Sequence, residues 1–381
     1  MNTGPLAGTT VIELGGIGPG PFAGMLMADL GADVIRIDRS GAQSELFPGA
    51  PTLDLLNRGK RSAILDLKDH QAVRALMTMV GRADVLIEGF RPGVAERLGV
   101  GPEDCWAHNP MLVYGRMTGW GQDGPLAQTA GHDINYIAIT GALHAIGAAG
   151  EPPQIPVNLV GDFGGGGAYL VIGVLAALRE AARSGRGQVV DAAIVDGAAH
   201  LLAGTHAALA ADAWRDERGV NLLDGGAPFY SVYATSDGAY MAVGSLENRF
   251  YRALLAGLDV DLDPAEQNDR STWPRMREMF AAAFASNTAE YWTQRFAGSD
   301  SCVAPVASMT SALQHPQIAA RGSIIEKDGI MQPGCAPRFS RTATVPGGTP
   351  PRPGQHTRDV LRDFGVTHVE KLLRLGAAAD G

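Results

Sequence analysis

At 381 residues with 45% hydrophobic content, the chain can bury at least one large core, and its length suggests two domains or one elaborate one, which excludes a disordered protein. Its three cysteines, Cys105, Cys302 and Cys335, stand far apart without CxxC or Cys/His spacing, so no disulfide framework and no zinc site is indicated, and a reducing, cytoplasmic location is expected. A net charge of −9 argues against coating nucleic acid while leaving room for a local basic pocket; with no secretory-type start and no run of about 18 uninterrupted apolar residues, the chain reads as soluble, with no membrane partner.

The chain opens on a βαβ unit: "TTVIEL" as a strand, "GGIGPGP" as a turn, "FAGMLMADLGA" as a helix and "DVIRID" as a second strand. The rhythm repeats through "RSAILDL", "DHQAVRALMTMVGRA", "DVLIEGF", "GVAERLGV" and "MLVYGRMTG". Alternating strands and helices predict an α/β fold, a large Rossmann-like parallel sheet with helices on both faces. In the first turn, Gly18, Gly20 and Ala23 spell GxGxxA, with Asp38 where a ribose-binding carboxylate would stand. Against a bound dinucleotide, Pro19 and Pro21 remove N–H donors, and Arg39 suits a phosphate or an adenine face; a tight turn with nothing bound is the other reading. Arg36, Arg39, Arg58, Lys60, Arg61, Lys68, Arg91 and Arg97 cluster near strand ends, where several cations can converge on one polyanion. Ordinary solvated surface is the alternative for each of them, least so for Arg39 and Arg91, which directly follow strands.

From Gly119 the texture changes to a glycine-rich loop, "GWGQDGPLAQTAGHDINY", leading into helix-like "INYIAITGALHAI". Its periodicity leaves His132 at a helix start, as a cap or hydrogen-bonder or as a neutral base. Next, strand-like "VNLVGD" precedes four glycines, Gly164 to Gly167, and an apolar helix. Asp162 stands alone there, either as an N-cap or as a carboxyl kept protonated by burial, and the glycines would bring bare N–H groups to a ligand. Farther on, hairpin-like strands around "TSDG" and helices "RALLAGL" and "WPRMREMFAAAFA" predict a smaller α+β domain, followed by a proline-rich tail ending in a helix.

Taken together, "ELGGIGPGPFAGMLMADLGADVIRIDR", "GKRSAILDLK", "EGFRPGVAERLG", "MTGWGQDGP", "AGHDINY", "NLVGDFGGG", "GRGQVVDAAIVDG", "NLLDGGAPFY", "AVGSLENRFY" and "SDSCVAPV" resemble the class III coenzyme A transferase superfamily, CaiB/BaiF-type, over about Pro5 to Phe364. Within it the chain is similar to the α-methylacyl-CoA racemases. The resemblance implies that His132 and Asp162 are the two acid/base groups, supported by Asn158 and Glu247. It implies CoA contacts at Arg39, at Leu65, Asp66, Leu67 and Lys68, at Arg91, and along Gly131, Asp133, Ile134, Asn135 and Tyr136 near the thioester. It further implies an acyl-CoA substrate, no cofactor beyond the CoA moiety, no metal and no NAD. The large CoA-binding domain would span residues 1–222, completed by the return of 331–381, with the smaller domain at 223–330. Two chains would interlock as a homodimer that brings Glu247 to the partner's imidazole. The loop from Gly41 to Leu55 departs from the family pattern.

Inverting a carbon beside a thioester carbonyl requires a base on one face, an acid on the other and stabilisation of the enolate between them, with backbone donors at the two helix starts as hosts for its oxygen. The rival within the superfamily is a CoA transferase, in which Asp162 would attack as a nucleophile and form an acyl-aspartyl anhydride. A complete GHDINY favours the racemase, because the transferase needs no second base there. A non-catalytic acyl-CoA-binding module conflicts with both titratable groups being present. Ile17, Met25, Leu143, Ile146 and Met241 are candidate acyl-chain contacts, each equally suited to plain core.

Overall fold

The computed structural model describes residues 3–41 and 49–381, so part of the Gly41–Leu55 loop lies outside the described residues. Six strands, β1 (Thr10–Leu14), β2 (Asp33–Asp38), β3 (Arg61–Leu65), β4 (Val85–Glu88), β5 (Val113–Thr118) and β6 (Val189–Ala193), pair in parallel in the order β3-β2-β1-β4-β5-β6. Strands feeding helices favour this parallel arrangement, and β1 to β5 are largely buried, whereas the first half of the edge strand β6 is exposed. Neighbouring residues alternate between the two faces. Ile12, Ile35 and Leu86 join a core with the helix α2 (His70–Val80), whose N-cap Asp69 accepts the Gln71 N–H at 2.6 Å. Val11, Val34, Val85 and Ile87 face the opposite core, which includes Ala23 and Met27 of α1 (Pro19–Asp29). Short helices α3 (Val94–Arg97) and α4 (Pro102–Trp106) connect β4 to β5.

Beyond β5, α5 (Asp133–Ile139) and α6 (Ala142–Ala145) replace one predicted helix, broken at Thr140-Gly141, where Gly141 takes φ 87°. "VNLVGD" is not a strand. Asn158 caps a wide, π-type helix over Leu159–Ala168 that runs straight into α7 (Tyr169–Ser184). The glycine run explains this. A Cβ on Gly165 would lie 2.6 Å from Ala198 N, and one on Gly197 of α8 (Ile194–Leu201) would collide with Gly165 O. On the other side, a Gly167 Cβ would lie 2.7 Å from Pro19 O. These glycines therefore allow backbone-to-backbone helix packing, and the expected cradle of bare N–H groups is replaced by contacts with α1 and α8.

The chain divides into two compact units, residues 1–140, 157–201 and 316–381, and residues 141–156 with 202–315. The sequence placed the boundaries at 222/223 and 330/331. Hydrogen bonds distant in sequence account for the difference. Arg218 donates to Glu151 O at 2.9 Å and His144 O at 3.0 Å, which ties 141–156 to the smaller unit. Arg58 donates to Gln332 Oε1 and Pro333 O at 3.1 and 2.7 Å, which holds the later hairpin on the larger unit. The smaller unit contains α9 (Ala203–Ala210), the antiparallel strands β7 (Tyr230–Ala234), β8 (Tyr240–Gly244) and β9 (Val303–Pro305), and helices α10 (Asn248–Leu258), α11 (Trp273–Ala285) and α12 (Ala289–Arg295). In the larger unit, β10 (Ile324–Lys327) pairs with β11 (Ile330–Pro333), and the tail closes on β12 (Ala378–Ala379), antiparallel to β3.

Candidate active site

The carboxyl ends of β1, β4 and β5 surround a cavity of about 590 Å³ within the larger unit. Its wall is built from the turns Gly16–Pro19, Gly89–Pro92 and Thr118–Trp120, the start of α5, and Asn158 and Asp162. Ligands of open parallel sheets settle at this end, so the general placement follows from topology. His132 and Asp162, 30 residues apart in the sequence, both line this single cavity.

His132 is exposed and precedes the first turn of α5, its N–H held by Asn135 Oδ1 at 3.0 Å. Two of the glycines of this segment make room for its rings: a Cβ on Gly119 would collide with Tyr136, and one on Gly131 would lie 2.7 Å from the same ring. Tyr136 packs edge-on to Trp120, centroids 4.7 Å apart, and its hydroxyl donates to Gly131 O. The loop carrying the imidazole is thereby fixed from both sides.

Asp162 is half-buried in the first turn of the wide helix. Asn158 Nδ2 donates to its Oδ2 at 3.3 Å, and Asp133 Oδ1 accepts its N–H at 2.7 Å. Gly18, at φ 66°, brings the first turn against the carboxyl; a Cβ there would lie 3.1 Å from Asp162 Oδ2. Phe163 stacks on Phe22 of α1 at 4.4 Å and pins the helix start. Val157, directly before Asn158, takes φ 59°, a strained conformation for a β-branched residue. Burial raises the Asp162 pKa; the Asn158 hydrogen bond and the nearby His132 pull it down, while the Asp133 charge adds to the rise.

The basic cluster resolves differently from its sequence reading. Arg36 pairs with Glu13 at 2.7 Å and Asp38 at 2.8 Å, and Lys60 with Glu13 at 2.6 Å. Arg58 pairs with Asp29 at 2.5 Å, and Arg61 with Asp33 and Asp363 at 2.5 and 2.7 Å. These cations neutralise carboxylates of the fold, and of the four Arg36 also lines the cavity. Burial pushes the Glu13 carboxyl up, yet Lys60 and Arg36 outweigh it and hold it below its ordinary value; burial lowers Lys60 to about 8. Arg36 also donates to Gly16 O at 3.0 Å, so this buried network sets the turn that abuts Asp162.

Of the expected CoA contacts, Arg91, Gly131 and Tyr136 line the cavity. Arg39 is exposed at the end of β2, and Leu65 to Lys68 lie at the end of β3, none of them in the cavity wall. Leu65 is buried, and Asp66 Oδ1 accepts the Lys68 N–H at 3.1 Å. Asp133 turns inward, Asn135 is spent on His132 N–H, and Ile134 is exposed outside the wall. Glu247 is an exposed N-cap of α10 in the smaller unit. Among the apolar candidates, Ile17 lines the cavity, Met25 and Met241 are core, and Leu143 and Ile146 belong to the smaller unit. Sequence reading missed the wall residues Ser62, Trp120, Pro351 and Pro353; the GxGxxA turn was the available signal for Gly18, although it pointed to a dinucleotide.

An open parallel sheet whose strand ends enclose an imidazole and a carboxyl defines an α/β protein with an acid/base site. The chain belongs to CoA-transferase family III, whose model matches residues 6–357. It is 46% identical over 373 residues to the alpha-methylacyl-CoA racemase of Mus musculus, covering 97% of this chain and 96% of that one. The alpha-methylacyl-CoA racemase of Homo sapiens is 42% identical over 368 residues, covering 96% and 94%. Among solved structures, a CAIB/BAIF family protein from Brucella suis superposes with TM-score 0.79 at 26% identity, covering 95% of this chain and 100% of that one.

Proposed function

We propose that the chain is an α-methylacyl-CoA racemase that interconverts (R)- and (S)-2-methylacyl-CoA thioesters by 1,1-proton transfer, with His132 and Asp162 as the two acid/base groups. The observation that carries this reading is the presence of both groups, on separate helix starts, in one cavity. His132 takes the α-proton from one epimer, the electron pair moves onto the thioester oxygen as an enolate, and the neutral carboxyl of Asp162 returns a proton to the opposite face. The enzyme is then left as imidazolium and carboxylate, the protonation state that processes the other epimer. Burial raises the Asp162 pKa, the direction that an acid role requires. The Asp162 N–H is occupied by Asp133 and the His132 N–H by Asn135, so the enolate oxygen would be hosted by other backbone N–H groups at the two helix starts.

In this reading Asn158 orients Asp162, and Arg91, in the cavity wall, receives part of the CoA polyanion, with Arg39 and the backbone of Leu65 to Lys68 reaching nucleotide outside the wall. Two copies interlock as a homodimer, and Glu247 of one orients His132 of the other. Exposed apolar side chains on the larger unit, among them Leu159, Ile172 and Leu201, support a covered face there. Incubating each 2-methylacyl-CoA epimer with protein in deuterated water tests the activity. Appearance of the opposite epimer with one α-deuteron is expected; unchanged epimers would refute it. The family also contains transferases, whose Asp162 equivalent would act as a nucleophile; trapping of an acyl-aspartate by hydroxylamine, with CoA passed to a free acid, would favour that alternative.

A further inference from the structure

We propose that Asp133 is a positioning residue for proton transfer at Asp162: its buried carboxylate fixes the acid's main chain while one of its oxygens is kept free of partners. This rests on the racemase reading. Asp133 occupies the first position of α5, where an acidic residue is ordinarily explained by the helix dipole alone. Three observations go beyond that explanation. The side chain is 8% exposed and reaches across 29 residues to accept the Asp162 N–H at 2.7 Å. Its Oδ2 is buried with no hydrogen-bond partner among the described residues. Gly161 is shaped to receive it, since a Cβ there would collide with Asp133 Oδ1.

A buried carboxylate with a single partner is costly, and natural folds retain such groups where the strain serves a purpose. Here one residue links both halves of the acid/base pair: it follows His132 in the chain and holds the backbone of Asp162. The charged or titratable groups facing Asp162 are His132 and Tyr136 of the α5 segment and Asp133 itself. Asp133 adds to the rise that burial gives the Asp162 carboxyl, so it helps keep the acid protonated.

The test compares Asp133→Asn, which keeps an acceptor and removes the charge, with Asp133→Ala, which removes both. For Asp133→Asn, kcat for epimerisation should fall about 10- to 100-fold with KM nearly unchanged. The pH limb belonging to Asp162 should move to lower pH: the alkaline limb for the epimer deprotonated by His132, and the acid limb for the opposite epimer. Asp133→Ala should lose more than Asp133→Asn. A folded Asp133→Asn with wild-type kcat and limbs would overturn the inference. If Asp162→Ala loses interconversion while Asp133→Asn behaves as wild type, only this inference fails; if Asp162→Ala interconverts the epimers normally, the racemase reading fails. Should neither Asp133 variant fold, amide exchange of the wild type decides. Strong protection of the Asp162 N–H is expected, and exchange as fast as an exposed amide would overturn it.

Discussion

At the scale of single residues, Asp162 lies between an amide donor and a second carboxylate, and these two neighbours pull its proton affinity in opposite directions. Asn158 stabilises the ionised form through its 3.3 Å hydrogen bond. Asn158→Ala should therefore move the Asp162 limb of the pH–rate profile to higher pH, opposite to Asp133→Asn, with kcat down about 10-fold; initial rates across pH 5–9 check this. Glu88 offers a separate pH probe. Burial pushes its carboxyl up to about 7, even though it accepts the Phe90 N–H at 2.6 Å and lies near Arg116. Between the unfolded carboxyl pKa and about 7 the folded chain binds the extra proton, so this site loses stability as pH rises through that window. Glu88→Gln should remove that loss. Its melting temperature relative to wild type should climb from pH 5 to pH 8, measured by thermal denaturation, and a pH-independent difference would contradict it.

At the scale of elements, the helix from Leu159 is set by what its glycines lack. Exchanging glycine for alanine inside a helix normally stabilises by about 0.5–1 kcal/mol. At Gly197 the sign should reverse, because the new methyl group would collide with Gly165 O. Gly197→Ala should cost about 1–3 kcal/mol, read by denaturant unfolding, and a stabilised variant would show that α8 and the wide helix do not meet backbone to backbone. The β1–α1 turn depends on the buried network below it. Lys60→Met strands Glu13 with Arg36 alone and should cost about 3–5 kcal/mol, with a smaller kcat because Arg36 also holds Gly16.

At the scale of the whole molecule, the alternation of strands and helices was legible in the sequence, because parallel strands read as apolar runs and α2 as an amphipathic stripe. His132 at a helix start was legible for the same reason. The strand assigned to "VNLVGD" failed because an apolar run before glycines carries no period that separates a strand from a wide helix. Arg36, Arg58, Lys60 and Arg61 were grouped with the other basic residues because, Asp38 beside Arg36 excepted, their carboxylate partners lie tens to hundreds of residues away, and one-dimensional spacing cannot show them. The domain boundaries shifted on similarly remote bonds of Arg218 and Arg58. An interlocked dimer should give twice the chain mass by size-exclusion with light scattering, and a stable, active monomer would contradict it. The most direct measurement follows α-hydrogen exchange of each epimer in deuterated water with His132→Ala and Asp162→Ala. Both variants are expected to lose interconversion, each retaining exchange of one epimer only, and not the same one. Interconversion near the wild-type rate in either variant, or exchange of the same epimer by both, would contradict the assignment of one acid/base group to each face.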